Sequence, residues 1–267
     1  MSQLLSISVS DHVAHVRLTR PEKRNALSPE LFAEIESAIH RLRSEPGLRA
    51  VVLSGEGASF CAGLDLMSFA AQAGDLEAAH QVLFERDADG ANLYQRICTG
   101  WRHVPVPVIA AVHGHCLGGG LQIALGCDIR IAAPATELSV MEIRWGLVPD
   151  MGISVTSRGL IAPDVLLELT TTGRVFDATE GHQLGLITRL DDNPEAAALK
   201  LAAQIAQGSP DAVRAAKRLF RDSAGMNELD ALKLEAQLQQ QLMGSPNQMM
   251  AVKAGMAGQS PAFVDPA

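Results

Sequence analysis

The chain has 267 residues, of which 47% are hydrophobic and 4% aromatic, and its formal net charge at pH 7 is −8. This size and composition suit one large α/β domain, or one domain with an appendage. The negative charge argues against nucleic-acid binding and leaves no basic face for an anionic membrane.

The four cysteines, Cys61, Cys98, Cys116 and Cys127, are scattered and form no C-x-x-C pair. This spacing predicts reduced core residues and therefore a cytoplasmic protein. The N-terminal residues lack a basic region followed by an apolar block, so we do not expect a signal peptide. No apolar run in the sequence has the length that a membrane span requires.

The first quarter of the chain predicts a hairpin, a helix and a strand, in that order. Leu4–Val9 and Val13–Leu18 alternate in polarity, as the two strands of a hairpin do. Ser28 and Pro29 form a helix start, and apolar residues then recur at helical spacing to about Ser44. A strand is predicted at Arg49–Leu53. A glycine-bearing loop follows at 55–66.

The rest of the chain outside its central stretch predicts helices with a few short strands. Between Met67 and Gly100 the pattern indicates broken helices. The later predictions are strands at Ile129–Ala132, near Leu138–Val140 and at Leu186–Arg189, helices at Ile153–Ile161 and Pro163–Thr171, and a helical region from Pro194 to about Gly258.

The central stretch combines a buried strand, a glycine turn and a helix. The strand is Val108–Val112, three consecutive glycines follow at 118–120, and the helix runs over about Gly120–Cys127. Free backbone N–H groups at such a helix start bind an anion, or an oxygen that becomes anionic during reaction. No Lys or Ser/Thr follows the glycines, which excludes a Walker-type phosphate loop.

Several spaced motifs together resemble the crotonase superfamily, which contains the enoyl-CoA hydratases and isomerases. The matching segments cover nearly the whole chain: Arg20-Pro21 with Asn25-Ala26-Leu27, Phe60–Asp65, Pro107–Gly120, Cys127–Arg130, Glu142 with Gly146–Pro149, and Gly185–Ile187. The resemblance implies an α/β fold, a crotonase-like spiral of ββα turns, with a helical C-terminal region. It implies a core domain at 1–193 with the acyl-CoA site and a helical trimerisation region at 194–267.

By the same resemblance, the substrate is an acyl-CoA thioester of the kind found in fatty acid metabolism, and the chain assembles as a homotrimer or homohexamer. The N–H groups of Leu64 and Gly119 would hold the thioester oxygen in an oxyanion hole. The coenzyme A moiety is part of the substrate, so no separate cofactor is implied. The residues implied along it are Lys23, Arg24, Ala26, Ala62, Asp65 and Leu66.

The acid and base groups decide which reaction such a site performs. Hydratases of the family use two glutamates, and this chain has Glu142 at one position but Gln122 at the other. An amide cannot exchange a proton as a carboxyl group does. Asp150, eight residues after Glu142, matches a carboxylate of the family's dienoyl-CoA isomerases. This combination favours double-bond isomerisation by proton transfer between Glu142 and Asp150.

Other interpretations stay open at this point. Glu142 alone would support hydration, and intact oxyanion loops without turnover would make a non-catalytic acyl-CoA-binding protein. Asp150 also matches the nucleophile of aryl-CoA dehalogenases, but Glu142 stands where their tryptophan does. A serine peptidase is disfavoured because no nucleophilic serine follows the glycines. Asp150 could instead cap a helix, and Gln122 could donate a structural hydrogen bond or orient a water.

Five further side chains are assigned smaller roles. His113 and His115 lie two residues apart, but without a third ligand at suitable spacing we expect no metal site. Trp101 and Trp145 are expected to pack in the core or in a pocket. In the C-terminal segment that the family uses to reach a neighbouring CoA, Lys253 is the only nearby cation, which makes an intersubunit CoA contact doubtful.

Overall fold

The fold is described from a computed structural model over residues 4–68 and 76–265. Its strands are β1 (Leu5–Ser10), β2 (Val13–Leu18), β3 (Ala50–Gly55), β4 (Val108–Val112), β5 (His115–Leu117), β6 (Ile129–Ala132), β7 (Glu137–Ser139), β8 (Phe176–Asp177) and β9 (Arg189–Leu190).

The helices are α1 (Pro29–Arg43), α2 (Leu76–Phe84), α3 (Leu93–Thr99), α4 (Gly119–Gly126), α5 (Ile153–Thr156), α6 (Pro163–Thr172), α7 (Ala178–Gln183), α8 (Pro194–Ala206), α9 (Pro210–Ser223), α10 (Glu228–Leu242) and α11 (Pro246–Ala257). Short 3₁₀ helices occur at Pro21–Lys23, Gly100–His103 and Glu142–Trp145. None of the helices in the described ranges is long and apolar enough to cross a membrane.

The strands form two sheets, and the chain alternates between them. One sheet has six strands in the order β1-β2-β3-β4-β6-β9, and the other has three in the order β5-β7-β8. The pairs from β2 to β9 in the larger sheet are parallel, whereas β1 and β2 form an antiparallel hairpin. One strand in each sheet followed by a helix, as in β4-β5-α4, is one turn of a ββα spiral. The predicted crotonase-like α/β fold is therefore confirmed.

Isolated bridges extend the smaller sheet toward the N-terminal loops. Leu27 pairs with Leu64, and Cys61 pairs with Cys116 of β5, each in the parallel direction. Two loops from earlier spiral turns are thereby held beside the glycine turn at 118–120. The candidate site lies at this edge of the smaller sheet, where loops pair through single bridges instead of regular strands.

The larger sheet is covered on both faces. On one face α8 packs its buried alanines, Ala198, Ala202 and Ala206, against Val52 and Ile109 of the sheet. On the other, a larger apolar core surrounds α1, α3 and α4 and includes the buried Trp101. Helix α8 therefore belongs to the packing of the spiral, although the predicted division into 1–193 and 194–267 stays a prediction.

Most sequence-predicted elements are present, with differences where glycines or short strands occur. The hairpin and α1 match, and the Ser28 hydroxyl accepts a hydrogen bond from the Leu31 N–H as the expected N-cap. The strand β5 was not predicted. The helix predicted at Ile153–Ile161 ends at Thr156, and the last strand lies at Arg189–Leu190 instead of Leu186–Arg189. Of the broken helices predicted over 67–100, residues 69–75 lie outside the described part.

Candidate active site

The three glycines at 118–120 lie close to groups of the neighbouring loops. Gly118 has φ +51°, and a Cβ there would lie 3.4 Å from the Glu142 Oε1 atom. A Cβ on Gly119 would lie 2.9 Å from the Met151 Sδ atom, and one on Gly120 would lie 2.4 Å from the Cys61 carbonyl oxygen. Backbone conformation thus favours glycine at 118, and the close approach of the Cys61 backbone requires it at 120.

The glycine-bearing loop at 55–66, the second loop of the site, brings another backbone N–H group next to the glycine turn. The Leu27 N–H donates to the Gly63 carbonyl at 2.8 Å, and the Asp65 N–H donates to the Leu27 carbonyl at 2.9 Å. A Cβ on Gly63 would lie 3.8 Å from the Gly119 nitrogen. Within residues 4–68 and 76–265, neither the Leu64 N–H nor the Gly119 N–H has a hydrogen-bond acceptor. The two N–H groups implied by the family resemblance are therefore unpaired in the described part of the chain and lie on adjacent loops.

The loop at 20–27 is fastened to this second loop by a guanidinium group. Arg20 donates to the Asp65 carboxylate and to the Ala26 carbonyl, both at 2.8 Å. The Arg24 carbonyl accepts a hydrogen bond from the Ala62 N–H at 3.0 Å. These contacts bring the candidate CoA-binding residues of both loops together.

Some charged side chains of these loops are held by hydrogen bonds, whereas others are exposed to solvent. Hydrogen bonds from Ser68 and Arg20 lower the pKa of Asp65 to about 2, so the carboxylate stays ionised and helps to hold the two loops together. Lys23 and Arg24 are exposed, and neither has an ion-pair partner in the described part of the chain. Leu66 is 37% exposed beside them. The surface therefore offers two cations and an apolar side chain to a ligand.

Glu142 is the buried carboxyl group of the site. It lies in a 3₁₀ helix next to the glycine turn, and its Oε1 atom accepts a hydrogen bond from Gln122 Nε2 at 2.7 Å. The Gln122 carbonyl oxygen in turn accepts from the Met151 N–H at 3.0 Å. The other oxygen of Glu142, Oε2, is buried and has no hydrogen-bond partner among the described residues.

Burial raises the pKa of Glu142, and the charge of Asp150 raises it further, while the Gln122 hydrogen bond lowers it. Asp150 keeps solvent access, yet surrounding protein partly desolvates it and raises its pKa as well. Asp150 does not cap a helix, because Gly152 is the N-cap of α5. Both carboxyl groups thus hold protons more strongly than ordinary carboxyl groups, as acid–base catalysis near neutral pH requires.

Tyr94 is a residue of this neighbourhood that sequence reasoning missed. It lies on α3, packs edge-on against Phe32 with ring centroids 5.7 Å apart, and burial together with the charge of Asp150 raises its pKa. The signal that marks α3 is the capping box of Asn92 and Gln95, in which each side chain bonds the other's backbone.

The remaining sequence-predicted candidates take structural or surface positions. His113 hydrogen-bonds with the Gly57 carbonyl at 3.0 Å, and His115 with the Ser59 hydroxyl at 2.9 Å. No cluster of three or more potential metal-ligating side chains occurs in the described ranges. Trp101 is buried as expected, whereas Trp145 is 57% exposed, so core packing was the wrong expectation for it. All four cysteines are free and buried.

Comparison with known proteins identifies relatives along most of the chain. A family model described as enoyl-CoA hydratase/isomerase matches residues 8–263. The mouse mitochondrial Delta(3,5)-Delta(2,4)-dienoyl-CoA isomerase is 37% identical over 218 residues, which span 79% of this chain and just under two thirds, 66%, of that protein. The enoyl-CoA hydratase EchA19 of Mycobacterium tuberculosis is 33% identical over 85% of this chain and 84% of its own length.

A solved structure shows the same fold over the whole chain. The crystal structure of an enoyl-CoA hydratase from Bacillus anthracis superposes with a TM-score of 0.89 and 28% sequence identity, covering 98% of this chain and 99% of that one. The similarity therefore extends through the helical C-terminal region as well as the spiral.

Proposed function

Because this chain belongs to the enoyl-CoA hydratase/isomerase family, we propose that it moves a carbon–carbon double bond along the acyl group of a coenzyme A thioester. One carboxylate removes a proton from carbon, and the electron pair of that C–H bond shifts the double bond and places negative charge on the thioester oxygen. The second carboxyl group returns a proton to another carbon. Glu142 and Asp150 are the two groups that exchange these protons.

The observation that carries this proposal is the pair of carboxyl groups with raised pKa values. Burial raises the pKa of both groups, and the charge of Asp150 raises that of Glu142 further, which supports the view that the two carboxyl groups lie near one another. The neighbouring position at the helix start is the amide of Gln122, which exchanges no proton. A site with this set of groups suits proton transfer between carbons better than addition of water.

The N–H groups of Leu64 and Gly119 would stabilise the charge that develops on the thioester oxygen. Both are unpaired, and they lie on adjacent loops held by the Leu27 bridge. Loss of one such donor typically costs about 3–4 kcal/mol of transition-state stabilisation.

The CoA moiety would lie along the two fastened loops. Lys23 and Arg24 supply positive charge for its phosphates, which an acidic protein must place locally. Ala26, Ala62 and Leu66 offer backbone and small or apolar surface beside them, and Asp65 holds the loop through Arg20. Coenzyme A enters as part of the substrate.

We test this function by following deuterium uptake from heavy water. The pure protein is incubated with a panel of saturated and unsaturated acyl-CoA thioesters, and the products are analysed by mass spectrometry. We expect deuterium at acyl carbons and a shifted double bond. In Glu142→Gln we expect a fall of about 10²- to 10⁴-fold, the usual contribution of a general acid or base. The matched control is Glu235→Gln on an exposed face of α10, which should exchange like the wild type.

The same experiment separates the alternatives. A mass gain of one water with no isomer formed would establish hydration through Glu142 and overturn the isomerase proposal. CoA esters that bind without exchange or water addition would leave a non-catalytic acyl-CoA-binding protein. Exchange that persists in Glu142→Gln would show that another group moves the proton.

A further inference from the structure

Gln122 occupies the point where the two carboxyl-bearing parts of the site meet. It is 1% exposed and lies in the first turns of α4. Its Nε2 atom donates to Glu142 Oε1 at 2.7 Å, and its Oε1 atom accepts from the Met151 N–H at 3.0 Å. Met151 directly follows Asp150, so one amide side chain is bonded to Glu142 and to the backbone beside Asp150.

The orientation of this amide is fixed by its partners. A backbone N–H can only donate, so the Gln122 atom that faces Met151 must be the carbonyl oxygen. The amide nitrogen therefore faces Glu142 and donates to it. A carbonyl or carboxylate oxygen accepts such a bond better than a hydroxyl oxygen does, which keeps Glu142 Oε1 free of protons in both ionisation states of the group.

The other oxygen of Glu142 is left without a partner. Oε2 is buried, and within residues 4–68 and 76–265 it receives no hydrogen bond. A buried polar atom without a partner is unfavourable in the free protein unless a ligand or a proton supplies one. Oε2 is thus the atom of this carboxyl group that is available for a transferred proton.

We infer that Gln122 is a positioning residue that locks Glu142 through Oε1, ties it to the backbone next to Asp150, and reserves Oε2 for the proton that the substrate exchanges. This inference rests on the proposed function. It accounts for an amide at a position where a second carboxylate would repel Glu142. It also makes the alignment of Glu142 and Asp150 depend on one side chain that does not itself exchange a proton.

Two substitutions of Gln122 separate positioning from mere packing. Gln122→Met keeps the length and burial of the side chain but removes both hydrogen bonds. Gln122→Glu is nearly isosteric and can reproduce both bonds when it is protonated, since its carbonyl oxygen accepts from Met151 and its O–H donates to Glu142. The matched control, Gln204→Met, makes the same chemical change at an exposed position on α8.

For Gln122→Met we expect kcat for double-bond migration to fall about 10- to 100-fold at every pH, as misalignment of a catalytic group does. KM should change little, because the candidate CoA contacts lie on other loops. For Gln122→Glu we expect kcat to recover toward the wild-type value at low pH, where the new carboxyl group shares one proton with Glu142. It should fall again at higher pH, as that proton leaves and two adjacent charges repel. The other titratable groups near Glu142 are Asp150 and the buried thiol of Cys98, and Tyr94 lies near Asp150.

A second measurement does not depend on turnover. Selective ¹³C labelling of glutamate side chains, with the Glu142 signal assigned from its loss in Glu142→Gln, gives the titration of Glu142 in each variant. The Gln122 hydrogen bond lowers the pKa of Glu142. Its removal in Gln122→Met should therefore raise that pKa relative to the wild type, while Gln204→Met leaves it unchanged.

The outcomes are distinguishable from failure of the proposed function. A wild-type protein with no turnover on any acyl-CoA would reject the isomerase, while a Glu142 titration that shifts in Gln122→Met would still support the positioning role. An unchanged titration in Gln122→Met would reject it, whether or not kcat fell, since a packing defect alone leaves the carboxyl group unaffected. Unchanged kcat and pH profile in that variant would reject it as well.

Discussion

Glu142 holds a charge that the folded protein accommodates poorly. Burial raises its pKa above the ordinary value of 4.5. Between that ordinary value and the raised one, the folded state therefore binds more protons than the unfolded state does. In this window the free energy of unfolding falls as pH rises, and above the raised pKa the loss is complete.

Removal of this carboxyl group should thus stabilise the protein while it slows proton transfer. In Glu142→Gln, the new amide oxygen can still accept from Gln122, and no buried charge remains. We expect the melting temperature of Glu142→Gln to exceed that of the wild type at pH 7 to 8. The difference should shrink as the pH falls toward 4, where the wild-type carboxyl group is protonated. Thermal unfolding of both proteins at matched pH values measures this difference.

Comparison with Glu235→Gln checks the assignment. Glu235 is exposed, and a surface substitution of this kind should leave the melting temperature close to that of the wild type at each pH. A Glu142→Gln melting difference that is constant with pH would mean that the carboxyl group titrates alike in the folded and unfolded states.

At the scale of elements, a buried lysine attaches α9 to the spiral. The Lys217 ammonium donates to the carbonyls of Trp101 and Val106 at 3.0 and 2.9 Å. It also lies 2.7 Å from the Asp128 carboxylate, which accepts a further hydrogen bond from the Val108 N–H. Its charge and all three donors are therefore satisfied by the core that carries β4 and the glycine turn.

Lys217→Met should separate this attachment from simple apolar packing. The substitution keeps the side-chain stem but leaves two carbonyl groups and the Asp128 carboxylate without their shared donor. Lys217 is buried whereas Asp128 keeps solvent access, so we expect a loss of about 1–3 kcal/mol of unfolding free energy, mainly from the carbonyl groups left without a donor. Urea denaturation measures the loss. Lys200→Met, at an exposed position on α8, should stay within about 0.5 kcal/mol of the wild type, and an equal effect of the two substitutions would contradict the assignment.

Elements with a local signal were predictable from the sequence, whereas elements defined by distant contacts were not. Ser28 before Pro29 marks the start of α1, and the β-branched run Val108–Val112 marks β4. The three-residue strand β5 has no pattern of its own, because its pairing with β7 is a tertiary contact. The helix expected to reach Ile161 stops early, and Gly159 follows it with φ +73°.

The candidate site was likewise predictable from the sequence only in part. The identities of Glu142 and Asp150 and the glycine turn could be read from motifs and from family resemblance. The bond between Gln122 and the Met151 N–H could not, since it depends on how α4 packs against a loop that lies 29 positions later. Tyr94 was missed because the segment around it has weak periodicity, and only its capping contacts define α3.

At the scale of the molecule, the chain closes on itself through its C-terminal tail. Arg49, at the start of β3, donates to the Ala206 carbonyl, to the Phe263 carbonyl and to the Asp265 carboxylate. Asn247 of α11 exchanges two hydrogen bonds with the backbone of Val264. The tail is therefore held against its own spiral, and Lys253 remains an exposed cation on α11.

The outer faces of the C-terminal helices carry apolar side chains that the single chain leaves uncovered. Among them are Phe220 at 75%, Leu232 at 54%, Met249 at 61% and Met256 at 86% exposed. Exposed apolar side chains on neighbouring helices favour association when they form a common surface. This pattern supports the proposal that α9 to α11 form an interface between copies of the chain, in a homotrimer or homohexamer.

Sedimentation equilibrium tests this assembly directly. We expect the wild-type protein to have three or six times the chain mass of 28.3 kDa, and Phe220→Asp to shift the population toward the single-chain mass because a buried carboxylate without a partner opposes association. Val9→Asp, which places the same charge at an exposed position on β1, should leave the assembly intact. A wild-type protein that sediments as a monomer, or a Phe220→Asp variant with the wild-type mass, would remove α9 from the interface. Since Phe220 lies on the helix that Lys217 anchors, circular dichroism of the same samples confirms that the variant is folded before its mass is interpreted.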